Sequence, residues 1–202
     1  MNGFLCIDKP RGLTSFRAVQ RVKRALGVQR AGHAGTLDPA ATGLLLTALD
    51  YGTRLLPYLR TEPKVYEFGL RFGIETDTLD AAGEVVLREG VKPTREALRA
   101  TLTQFIGSIR QSPPRFSAVK IDGVRAYKRA RKNEQFATKE RSVAIEDLEL
   151  RDYDVDAGIG HLVVRCSGGT YVRSLARDIA RSLDTTGHAA YIRRTAVGAF
   201  TL

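Results

Sequence analysis

The chain has 202 residues, of which 43% are hydrophobic and 27% charged, with a formal charge of +10. That length and balance suit a globular protein with a sizeable core. They exclude a membrane-spanning chain, since no apolar run approaches the roughly 20 residues that a helical span needs. The first apolar stretch meets Asp8 too soon for a secretory leader, so a cytoplasmic protein is expected. Only Cys6 and Cys166 carry thiols. Each lies in an apolar, strand-like run without a neighbour at metal-ligand spacing, so both are expected to be buried thiols, with no disulfide and no metal site. Basic residues are concentrated in three blocks, 1–30, 110–141 and 165–194, while 142–164 is acidic. A surface with one positive side attracts a phosphate backbone, although a solvated basic surface without a partner would look the same.

In chain order, Gly3–Asp8 reads as a strand ended by Lys9-Pro10-Arg11-Gly12. Thr14 or Ser15 can cap a helix in which Phe16, Val19, Val22 and Leu26 recur at helical spacing, and Gly27 can stop it. Residues 29–43 read as a glycine-punctuated loop and Leu44–Leu49 as a buried strand. Thr53–Leu59 reads as a short helix limited by Pro57. Val65–Phe72 and Glu84–Leu87 read as strands, and Thr94–Phe105 as a helix capped by Thr94. Within 107–141, Ser117–Ile121 is strand-like and Val124–Lys132 reads as a short basic helix, the whole forming an insertion that projects from the core. Ser142–Asp152 and His161–Cys166 are expected to pair. Tyr171–Leu183 is an amphipathic helix, followed by Ala189–Arg194 and a last strand near Ala196–Leu202. Strands with interspersed helices imply an α+β fold with a mixed, mainly antiparallel sheet and flanking helices.

The densest run is Gly32-His33-Ala34-Gly35-Thr36-Leu37-Asp38-Pro39-Ala40-Ala41-Thr42-Gly43. Its glycines permit backbone angles that other residues resist, and Pro39 biases Asp38 towards an extended conformation. The Gly-Lys-Ser/Thr ending of a phosphate-binding P-loop is absent. A lone ionised Asp can act as a nucleophile or stabilise positive charge at a sugar carbon, whereas ordinary glycoside hydrolysis wants a second carboxylate. The competing reading is a tight loop whose Asp satisfies backbone amides.

This run resembles the signature of the TruB family of pseudouridine synthases. Further likenesses follow in order along the chain: Lys9–Ser15, Lys64–Phe68 with Thr76–Asp80, Ser112–Lys120, Cys166–Arg173 and Tyr191–Arg194. The resemblance implies the pseudouridine synthase fold over residues 1–202, with a thumb-like RNA-binding insertion at about 107–141. It implies conversion of a transfer-RNA uridine, usually position 55 in the T-arm, with Asp38 as catalytic carboxylate and no cofactor or metal. His33 matches the position that fills the space left by a flipped nucleotide. Tyr66 matches the aromatic that stacks on the target base, Arg173 the partner of the carboxylate, and Tyr171 and Ile192 pocket-lining positions. Lys9 would support the catalytic loop or touch RNA. Arg125, Lys128, Arg129, Arg131 and Lys132 would grip backbone phosphates, with Tyr127 as a stacking surface.

Bacterial members usually continue into a PUA domain. This chain stops at Leu202, so none is expected here, and the thumb would carry more of the RNA grip. The expected enzyme is a monomer that binds the T-arm stem–loop without an obligatory protein partner or a membrane. Two alternatives share the scaffold: a guide-RNA-dependent synthase subunit, and a non-catalytic RNA-binding or tRNA-folding module.

Overall fold

The computed structural model describes residues 1–202. The elements in order are β1 (Gly3–Lys9), α1 (Ser15–Ala25), β2 (Ala31–His33), β3 (Thr42–Leu49), a 3₁₀ helix (Asp50–Tyr58), β4 (Lys64–Phe72), β5 (Glu75–Thr76) and β6 (Val85–Leu87). Then come α2 (Arg95–Leu102), β7 (Gly107–Gln111), β8 (Lys120–Ile121), β9 (Val124–Arg125), α3 (Ala126–Ala130), β10 (Arg141–Asp154), β11 (Ile159–Cys166), α4 (Val172–Arg181), β12 (Gly187–Val197) and β13 (Phe200–Thr201). The fold is α+β, with a mixed, mainly antiparallel sheet, as the alternation of strands and helices implies. No helix is long and apolar enough to cross a membrane. The chain divides into two units, Met1–Glu67 with Ile192–Leu202, and Phe68–Tyr191.

In the first unit β3 is the central strand. Leu44, Leu45, Leu46, Ala48 and Leu49 are all buried, as expected for a near-continuous apolar run flanked on both sides. β1 pairs antiparallel along its whole length, from Gly3 opposite Leu49 to Lys9 opposite Gly43. The other edge is shared: β2 covers Thr47–Leu49 antiparallel, and β12 covers Thr42 and Gly43 in parallel. The segment between β2 and β3, which holds Asp38, leaves the sheet where these two neighbours part. Ala34, Leu44, Leu46 and Val197 pack together, with Phe4, Leu56, Leu59 and Phe200 against them.

Several local readings of this unit change. Ala31–His33 is a short strand inside the expected loop, because its partner is the far end of β3. Thr14 is the N-cap of α1, its hydroxyl accepting from the Arg17 amide. The helix buries Ser15, Ala18 and Val19, while Phe16 and Leu26 are exposed. The bulkiest apolar residues therefore do not mark its buried face. Cys6 is exposed on β1 and Cys166 is buried, so the expected burial holds for one cysteine only; side chains of an edge strand alternate between faces. The last two expected strands are one continuous β12 followed by the two-residue β13.

In the second unit β10 is the long antiparallel partner of both β11 and β7. α4 buries Val172, Leu175, Ala176 and Ile179 of the expected apolar face, together with Ala180, while Leu183, just beyond its end, is half-buried. Thr94 caps α2 through its hydroxyl. The insertion differs from the reading above. Asp122 and Gly123 both have positive φ, 49° and 79°, and form the two-residue turn of a β8–β9 hairpin. Such turns suit Asp-Gly because both central residues need the left-handed region. Val124 and Arg125 are thereby strand residues, and the helix is confined to Ala126–Ala130.

Candidate active site

Asp38 sits in a loop that is fastened on both sides of it. Ser15 Oγ accepts from the Leu37 amide at 2.8 Å and donates to the Leu37 carbonyl at 2.9 Å. The Pro39 carbonyl accepts from the Gly12 amide at 2.7 Å and from Lys9 Nζ at 3.4 Å. The Asp38 carbonyl accepts from the Ala41 amide at 3.1 Å. The residues before and after the carboxylate are thus tied to the Lys9–Ser15 segment, which fixes its backbone.

Lys9 is turned into the loop. Its side chain is 0% exposed, and Nζ donates to the carbonyls of Pro10, Leu13 and Pro39. Three acceptors match the three donors of an ammonium. Burial pushes the Lys9 pKa down; the Asp38 charge partly restores it, and Arg194 adds to the depression.

His33 ends β2, opposite Thr47, and its Nδ1 is buried without a hydrogen-bond partner. Burial, then the Arg194 charge, push its pKa below the ordinary imidazole value. The ring is thus held neutral near pH 7. Protonation favours the unfolded chain, where histidine keeps its ordinary pKa, so stability falls as pH drops through about 6.5. Urea unfolding at pH 7.5 and 5.5 should show that fall in the parent and a flatter response in His33→Asn. Equal pH responses would contradict this account.

Tyr66 and Ile192 are buried in the first unit. Two residues absent from the expected set belong with them. Ser15 holds Leu37, as described. Arg194, 1% exposed, donates from Nε to the Leu44 carbonyl at 2.8 Å and from Nη2 to the Gly35 carbonyl at 3.1 Å. Neither role has a local signal: a serine at a helix start reads as a cap, and an arginine reads as surface.

In the second unit Arg173 lies on the first turn of α4 and is buried. Nη1 donates to the Thr78 carbonyl at 2.7 Å and Nη2 to the Phe116 carbonyl at 2.9 Å, with the Asp80 carboxylate 3.8 Å from Nε. Tyr171 is the N-cap residue of α4. Its amide donates to Gln111 Oε1 at 2.8 Å, its carbonyl accepts from Gln111 Nε2 at 3.1 Å, and the Arg141 guanidinium lies 4.6 Å from its ring centre. The structure thus gathers Lys9, His33, Asp38, Tyr66 and Ile192 in one unit, and Tyr171, Arg173 and the insertion in the other.

Within the insertion, Arg129 pairs with Asp122 at 3.1 Å and Glu134 at 3.8 Å. Its charge is met inside the protein. Arg125, Lys128, Arg131 and Lys132 are exposed, and the Arg131 guanidinium lies 5.5 Å from the Tyr127 ring centre.

Residues 23–172 match the family described as TruB family pseudouridylate synthase, N-terminal domain. The chain is 48% identical to a tRNA pseudouridine synthase B of Caulobacter vibrioides, over 99% of this chain and 64% of that protein. It is 42% identical to the namesake of Wolbachia pipientis, over 99% of this chain and 57% of that one. It thus spans less than two-thirds of either relative. Among solved structures, a chain of a Cbf5–Nop10–Gar1 complex superposes with a TM-score of 0.76 at 28% identity, covering 98% of this chain and 50% of that one. A chain of the archaeal box H/ACA sRNP Nop10–Cbf5 complex gives 0.71 at 27% identity, covering 98% and 49%.

Proposed function

Because this chain belongs to the TruB family of pseudouridylate synthases, we propose that it isomerises a uridine of transfer RNA to pseudouridine with Asp38 as the catalytic carboxylate. The observation that carries this reading is the loop, in which the backbone on either side of Asp38 is tied down by Ser15, Gly12 and Lys9. A carboxylate on a fixed backbone can be aimed at one atom, and orientation of this kind supplies a large share of catalysis.

In the proposed reaction the Asp38 carboxylate attacks, or stabilises positive charge at, ribose C1′ as its bond to uracil N1 breaks. The detached base turns, and C5 bonds to C1′. C5 loses its proton and N1 gains one, so the product is an isomer and no oxidant or co-substrate is consumed. The base must be out of its stack before this can begin, at a cost of a few kcal/mol. His33, neutral near pH 7, suits the role of filling the space it leaves. Tyr66 would stack on the extruded base, Ile192 and Tyr171 would line its pocket, and Arg173 would be the cationic partner of the carboxylate. The substrate we favour is uridine 55 in the T-arm, bound by a monomeric cytoplasmic enzyme whose catalytic domain, residues 1–202, carries its own thumb at 107–141.

The exposed thumb cations give this reading a salt signature. Replacing Arg125, Lys128 and Lys132 together by Ala should weaken RNA binding and reduce the slope of log K against log salt by about 2. Filter binding across a salt series checks this, and an unchanged slope would remove the thumb from the RNA path.

Unmodified T-arm RNA labelled at uracil C5 tests the function. Release of label by the purified chain alone supports it. Release only after guide RNA and protein partners are added would favour the guide-dependent alternative, which the likeness to Cbf5 complexes keeps in view. Binding without release would leave an RNA-binding module.

A further inference from the structure

We infer that Arg194 is a positioning residue for Asp38: its guanidinium clasps the two ends of the segment that carries the carboxylate. The inference rests on the reading of Asp38 as catalytic. The carbonyls that Arg194 binds belong to Gly35, three residues before Asp38, and Leu44, six residues after it. A planar guanidinium with donors in a fixed fork sets the separation of two such carbonyls in a way a flexible side chain cannot. The main chain of the same residue fastens the far end again, since Arg194 stands opposite Gly43 in the parallel ladder of β12 and β3. Ser15 and Lys9 hold the middle of the segment, at Leu37 and Pro39, but neither reaches both ends.

The burial of this arginine has a neighbouring contrast. Arg193, the residue before it, turns to the outer face and grips the exposed Asp8 carboxylate with two bonds, at 3.0 and 2.7 Å. Arg194 turns inward and meets carbonyls there. Desolvating a guanidinium is costly, and an apolar side chain would fill the same volume without that cost. Charge-assisted hydrogen bonds to the loop are what the charge contributes in return. Its field also reaches the site, since it helps depress the pKa of both Lys9 and His33.

Arg194→Met and Arg194→Lys test the inference through two readouts. The first is amide hydrogen exchange of the protein without RNA. In Arg194→Met, protection at Leu37 and Ala41 should fall at least about tenfold, with the amides of β10 and β11 unchanged. The second is single-turnover rate against RNA affinity for the T-arm stem–loop. The rate should fall about 100-fold, the order expected for a displacement of about 1 Å, while Kd stays within about threefold. Arg194→Lys, which keeps the charge but not the fork, should recover about tenfold in rate. Unchanged protection, unchanged rate, a Kd that weakens in step with the rate, or no rescue by lysine would each overturn the inference. If Arg194→Met does not fold, a lysine variant with parental rate overturns it and one slowed about tenfold at constant Kd supports it. A parent chain that turns over no RNA would sink the functional reading instead, and the exchange measurement would then decide the clasp by itself.

Discussion

Replacing Asp38 by Asn is expected to lower turnover by about 1,000-fold or more while leaving RNA affinity within about threefold. The substitution keeps the size of the side chain and removes the charge, so the loop contacts made by Ser15, Gly12 and Lys9 to its neighbours survive. What disappears is the anion that, in the proposed reaction, meets the developing positive charge at the sugar. Loss of a single electrostatic contact of this type costs about 100- to 1,000-fold, and loss of a nucleophile costs more. Paired measurements of single-turnover rate and Kd separate the two effects. A variant that keeps more than about a tenth of the parental rate would remove Asp38 from the chemistry.

The second large effect falls on stability. Gly43 has φ of 98°, and a Cβ added there would lie 2.2 Å from the Arg194 carbonyl oxygen and 2.7 Å from its amide nitrogen. Both obstacles are backbone atoms in the β3–β12 ladder, so neither can move aside without breaking the pairing that anchors the segment carrying Asp38. Gly43→Ala should therefore cost at least about 3 kcal/mol, combining a left-handed backbone with a steric overlap. Denaturant unfolding measures it, and a loss below about 1 kcal/mol would show that the two strands part more easily than the register implies. Glycine is required here for the close approach as much as for the torsion angle.

Much of this arrangement is legible in the chain itself. The apolar run Leu44–Leu49 is a central strand, Thr14 and Thr94 are caps, and the stripe on α4 is buried. The likeness of the Gly32–Gly43 run to the TruB signature identified the family, which the comparisons bear out. The unread parts share a physical cause. β2 is three residues long, and only its pairing with Thr47–Leu49 makes it a strand. Arg194 interrupts an apolar pattern and splits β12 on paper, yet it is buried because carbonyls about 150 residues away in sequence satisfy it. Phe16 looks like core and is exposed, whereas Ser15 beside it is buried against Leu37. Asp122-Gly123 is the exception: its turn chemistry is local, and it marks the β8–β9 hairpin that a helical reading of Val124–Lys132 passes over.

The identity of the product tests the central claim most directly. After incubation of the purified chain with an unmodified T-arm stem–loop, the RNA is digested to nucleosides and separated by chromatography. The account predicts that one uridine per molecule is replaced by its C-glycosidic isomer, with no free uracil in solution. Free uracil with an abasic RNA would show that the site cuts the glycosidic bond without retaining the base, and uridine recovered intact would show that Asp38 performs no chemistry on this substrate.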